Sequence, residues 1–75
     1  KQPEEALKQC KYVLARNVRD GKALYREAQA YEQMGRTIEA VQSLRRLLAV
    51  DRTNRAGKEA MARLMADAVH QTQAG

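Results

Sequence analysis

Slid along itself until Glu5 lies over Glu39, the chain matches its own sequence. In that register Glu5-Ala6-Leu7 meets Glu39-Ala40-Val41, Val13-Leu14-Ala15 meets Leu47-Leu48-Ala49, Lys11 meets Arg45, Asn17 meets Asp51 and Cys10 meets Leu44. Downstream, Ala28 meets Ala62 and Tyr31 meets Met65. A fixed period of about 34 residues signals stacked helix–turn–helix units, since one such unit cannot bury its apolar face alone. The expected fold is therefore all-α, built of antiparallel helix pairs.

Composition agrees. The chain has no Trp or Phe, four Gly and one Pro, and its 75 residues suffice for one domain near the lower limit for a self-sufficient core. Ala, Leu, Gln, Glu, Lys and Arg dominate, which favours helix, and no alternating run of β-branched residues predicts a strand. The chain opens on Lys1 rather than Met and is expected to be a fragment. No apolar run approaches the roughly 20 residues that span a bilayer, and no signal-peptide pattern is visible, so a cytoplasmic setting is expected.

Four helices are expected. The first covers about residues 3–17, with Pro3 tolerated in its first turn and an apolar stripe of Ala6, Leu7, Cys10, Val13 and Leu14. After the turn Val18-Arg19-Asp20-Gly21, with Asp20 as N-cap, the second runs from Lys22 to Met34, and Gly35 ends it in the left-handed conformation. Thr37 is expected to cap the third, whose buried side carries Ile38, Val41, Leu44, Leu47 and Leu48. Beyond the turn Asp51–Asn54, the fourth runs from Arg55 to Gln71 with Met61, Leu64, Met65 and Ala68 on one face, and the tail 72–75 is expected to fray. Ala28 and Ala40 are expected where the two helices of one unit cross, with Leu24 and Tyr31 filling the space on either side.

The spacing Leu24-x-x-x-Ala28-x-x-Tyr31, then Gly35, Ala40-x-x-x-Leu44 and Asp51, resembles the tetratricopeptide repeat over nearly the whole chain. The resemblance implies a right-handed superhelical solenoid. Residues 3–17 would be the B helix of one repeat, 21–54 a complete repeat, and 55–71 a terminal capping helix. Departures are Glu27 at a usually apolar place, Thr37 where an aromatic is common, Leu47 for Ala and Arg52 for Pro.

A narrower resemblance lies in Lys22-Ala-Leu-Tyr-Arg26 and the following Tyr31-Glu-Gln-Met-Gly-Arg36. These look like the last repeat of heat-shock co-chaperones of the immunophilin and myosin-assembly types. There a Lys and an Arg form part of a carboxylate clamp that grips the acidic C-terminal tail of a chaperone. The resemblance implies a peptide-binding set of Lys22, Arg26, Tyr25, Gln29 and Gln33, and a complete clamp draws further Lys and Asn residues from earlier repeats.

Elementary chemistry supports the pair. Residues four apart share one helix face, and Arg26 can hold a carboxylate through two parallel hydrogen bonds while Lys22 acts as a mobile point charge. The bland alternative is a pair of solvated face charges, with Glu27 beside them lowering the local potential. Net charge is +5, which favours acidic partners, but the basic residues are spread along all helices and stacking aromatics are scarce, against nucleic acid.

Cys10 is the single cysteine, so no internal disulfide can form, and its register with Leu44 predicts a buried apolar role. His70 stands alone, without a second ligand at metal spacing. No catalytic constellation or cofactor loop is expected. The functional reading is a protein–protein interaction module, a chaperone adaptor. The alternatives are a scaffold or self-association module, in which a homo-oligomer would cover the apolar side of residues 6–14, and an adaptor of the mitochondrial-fission type, which needs a membrane anchor downstream.

Overall fold

The computed structural model describes the backbone of residues 2–74 and the side chains of residues 2–67. Lys1, the side chains of Ala68 and His70, and Gly75 lie outside the described residues, and with them the expectations placed on those positions. Four helices follow in order: α1 (Pro3–Arg16), α2 (Gly21–Gln33), α3 (Thr37–Val50) and α4 (Arg55–Ala74). No strand occurs among the described residues. The sequence register that lays Glu5 over Glu39 also lays both ends of α1 over the ends of α3, and the start of α2 over the start of α4. Each helix packs on the next, α1 on α2, α2 on α3 and α3 on α4.

Local chemistry fixes the boundaries. The Ala23 amide donates to the Asp20 carboxylate at 3.0 Å, so Asp20 caps α2 as its spacing predicts. Asn54 does the same for α4, accepting from the Gly57 amide at 2.7 Å. At the other end of α2, Gly35 adopts φ +75°. Its amide donates to the Glu32 carbonyl at 3.0 Å, while the Arg36 amide reaches back to the Tyr31 carbonyl at 2.8 Å. This two-bond closure satisfies carbonyls that the helix end would otherwise leave open.

The same closure corrects the role given to Thr37. The residue at the N-cap of α3 is Arg36, which makes no side-chain capping bond, and Thr37 is already helical. Arg36 instead pairs with Glu39 one turn on, at 2.8 Å.

The core is one cluster running through all four helices. Leu14 comes from α1; Leu24 and Ala28 from α2; Ala40, Leu44 and Leu47 from α3; Ala60 and Leu64 from α4. Ala28 and Ala40 are almost completely buried, in keeping with a close approach of α2 and α3. A bulky side chain at either site would overpack it at a cost of about 1–3 kcal/mol.

Leu47 stands where the repeat pattern has Ala, and Gly57 makes room for it. A Cβ on Gly57 would lie 2.9 Å from one Leu47 methyl, and a Cβ on Gly21 would lie 3.4 Å from the other. A larger residue on α3 is thus matched by an absent side chain in the first turn of α4, while the Gly21 distance is ordinary contact.

Other expectations fail for reasons of helix phase. Ile38 is 73% exposed, because the buried arc of α3 is Ala40, Ser43, Leu44 and Leu47, and Ile38 lies across the helix from it. Val41 and Leu48 are only half-buried. On α1 the buried residues are Cys10 and Leu14, while Ala6 and Val13 face outward. On α4, Leu64 is buried and Met61 half-buried, but Met65 is 49% exposed. α4 also continues to Ala74, beyond the expected end at Gln71, since Thr72, Gln73 and Ala74 contain no helix breaker.

Candidate functional site

α2 carries the five residues singled out from the sequence, and its neighbours sort them into two groups. Lys22, Arg26, Gln29 and Gln33 are all exposed. They recur at i, i+4, i+7 and i+11, so they form one stripe along the helix. Lys22 and Arg26 flank a hollow of about 400 Å³ against α1, whose lining includes Ala6, Cys10 and Val13. Arg26, Gln29 and Gln33 border a second hollow of about 130 Å³ that also reaches Ala6. Arg26 and Ala6 join the two into one trough between α1 and α2.

Tyr25 departs from this stripe. It is half-buried against the core and lines a separate hollow of about 520 Å³ toward α4, together with Lys22, Asp51, Asn54 and Ala56. Lys22 borders both sides, as does Asp20. The predicted set therefore divides, with Lys22 at the junction.

The hollow carries both signs of charge, with Asp20 in the same lining as Lys22 and Arg26. Among the described residues, Lys22 and Arg26 take part in no ion pair or hydrogen bond, whereas Arg36 pairs with Glu39 and Arg63 with Glu32. Glu27 is buried rather than on the surface beside them, and its charge still reaches Cys10 in the trough lining. It is 3% exposed and turned to the opposite side of α2, toward α3. The Ser43 hydroxyl donates to its Oε1 at 2.7 Å, and the Lys11 ammonium stands 3.6 Å from its Oε2.

Sequence reasoning missed this three-helix cluster. The signal was available: an acid at an apolar register position of α2, with a serine on the inner face of α3 to receive it. The Tyr31 side chain, and after it the Glu27 charge, raise the pKa of Lys11 against the opposing effect of partial burial. Tyr31 itself packs on the core with the Lys11 and Arg36 cations each 5.6 Å from its ring centre, so it is a structural residue. Cys10 is buried, and desolvation, followed by the nearby Glu27 charge, pushes its thiol pKa up. This is the small apolar residue that its register with Leu44 predicts, in an unreactive state.

Among the described residues no group of His, Cys, Asp and Glu is placed to hold a metal ion, and no helix is long and apolar enough to cross a membrane. The family model described as tetratricopeptide repeat matches residues 1–64. The chain belongs to the tetratricopeptide repeat family. No curated protein and no solved structure matches the chain. As a tetratricopeptide repeat it is a protein-interaction module.

Proposed function

We propose that the stripe Lys22–Arg26–Gln29–Gln33 receives an acidic peptide ending in a free carboxylate, in the manner of an adaptor for heat-shock chaperone tails. Residues 3–17, 21–54 and 55–71 then serve as a B helix, a full repeat and a capping helix around that face. The observation that carries the reading is the pair of cations, in no ion pair among the described residues, over one hollow that Ala6, Cys10, Val13 and Ala23 line together with Gln9 and Asp20. Arg26 provides the bidentate grip on the carboxylate, Lys22 adds a mobile charge, and Gln29 and Gln33 meet peptide amides further along. Tyr25 contributes from the α4 side, next to Lys22.

The clamp in its complete form uses cations and amides from more than one repeat, so this pair supplies part of the grip. The test is titration of a short acidic peptide with a free C-terminus, followed by amide shifts in the chain. Shifts should centre on residues 22–33 and weaken about tenfold on amidation of the peptide or on Arg26→Ala, as expected when a charge-assisted bond is lost. Both cations are exposed, so Lys22→Ala and Arg26→Ala should leave stability within about 0.5 kcal/mol. Peptide shifts unchanged in the double variant would rule the reading out.

A further inference from the structure

Two turns, residues 17–20 and 51–54, meet at one edge of the molecule, where α1 and α3 end and α2 and α4 begin. Both border the hollow that Tyr25 lines, so they lie side by side. Residues 14–24 hold three Lys and Arg against one Asp, and the equivalent window one repeat on, 48–58, holds the same. The opposite edge reverses the sign, since residues 2–6 and 31–41 hold four Glu against one Arg. Spread over all helices in the sequence, the charge is polarised along the helix axes in the fold.

We propose that the positive edge docks on an anionic lipid surface, with headgroups against the cations and Val18 in the interface. Arg16, Arg19, Lys22, Arg52, Arg55 and Lys58 are exposed and in no ion pair among the described residues. The two acids of this edge are engaged locally. Asp20 accepts from the Ala23 amide, and Asp51 accepts from the Thr53 hydroxyl and the Asn54 side-chain amide, each at 3.3 Å. Val18, in the first turn beside Arg19, is 70% exposed. An apolar side chain among cations suits the boundary between headgroups and acyl chains, where buried apolar area and electrostatic attraction act together. Other anions fit this edge less well. A single-stranded nucleic acid stacks on rings, but the Tyr12 hydroxyl already accepts from Arg16 at 2.8 Å and Tyr25 packs on the core. A discrete anion entering the hollow between the turns meets Asp20 and Asp51 in its lining, whereas a plane of headgroups meets the exposed cations around it.

The test is co-sedimentation with vesicles of phosphatidylcholine alone or with about 30% phosphatidylserine, in about 0.1 M salt, where charges are screened over about 10 Å. The chain should bind the phosphatidylserine vesicles, ignore the neutral ones, and be released at about 1 M salt. Arg19→Gln and Arg52→Gln should each weaken binding about fivefold, and together about 25-fold. Arg36→Gln, on the opposite edge, should stay within about twofold, because α1, 14 residues and so about 21 Å long, separates the edges by about two screening lengths. The chain has no Trp, so the fluorescence of Val18→Trp reports on that turn alone, and its emission should shift to the blue on phosphatidylserine vesicles. Circular dichroism melting of each variant checks that the fold survives.

This inference is independent of the peptide reading. The variant with both Arg19→Gln and Arg52→Gln keeps Lys22 and Arg26, and should bind the acidic peptide as the natural chain does. Equal binding to the two vesicle types, or binding to neither, overturns the proposal. So does an Arg36→Gln loss as large as that of Arg19→Gln, since total charge rather than the edge would then govern. An unshifted Val18→Trp emission also overturns it. So does displacement from the vesicles by polyglutamate or polyuridylate at equal total charge, because the edge would then prefer a macromolecular anion to a lipid surface.

Discussion

Glu27 is the residue on which three helices depend. A carboxylate at 3% exposure is costly unless it is bonded, and here Ser43 donates to it while Lys11 supplies the opposite charge. Glu27→Ala leaves the Ser43 hydroxyl buried without its acceptor and should cost about 1–3 kcal/mol in urea unfolding. Glu27→Met combined with Ser43→Ala removes both polar partners, installs the residue found at the equivalent place in α4, and should come close to the natural stability. A double variant no better than Glu27→Ala would contradict this account.

Lys11 adds a dependence on pH. Its pKa is raised in the folded state, by the Tyr31 side chain first and by Glu27 after it. A raised pKa means that its contribution is complete below the ordinary lysine value of about 10.4 and is lost as pH rises through the folded value. The melting-temperature difference between the natural chain and Lys11→Met should therefore hold from neutral pH to about 9 and shrink above about 10.4. A constant difference across that window would show that Lys11 acts through packing alone.

At the scale of the element, the two ends of α2 match the sequence closely, whereas the start of α3 and the end of α4 do not. Asp20 and Gly35 act as their residue types predict because capping is local: a carboxylate reaches an amide three residues on, and a left-handed turn needs no distant partner. Gly35→Ala forces a Cβ into φ +75° and should cost about 1–2 kcal/mol, although nothing within 4 Å crowds that position. The loss is backbone strain, so Gly35→Asn should recover part of it in the same melting measurement.

Helix faces were less legible, since apolar spacing does not reveal which arc meets a neighbour. Ile38 fits an apolar stripe yet faces water, and Glu27 breaks one yet lies inside. The same holds for the candidate site. Lys22 and Arg26 are readable as a pair because they share one helix. The separation of Tyr25 from Gln29 and Gln33 depends on where α1 and α4 lie, and no single helix encodes that.

At the scale of the whole molecule, α1 and α3 keep one constant offset at both of their ends, and α2 and α4 start with that offset as well. A gene that duplicated residues 21–54 in place would join each new helix to a neighbour of the type it already has. At the one new junction Asn54 would precede Gly21, and Ala23 of the second unit would take Gly57's place beside the first Leu47, so Ala23→Gly there would restore the existing fit. Because stability in such arrays accumulates by unit and by interface, the duplicated chain should melt higher than the original, whereas inserting one residue more or fewer should rotate the added unit and lose that gain. Growth by whole units is thus the easiest change open to the chain, with one contact beside Leu47 to be refitted.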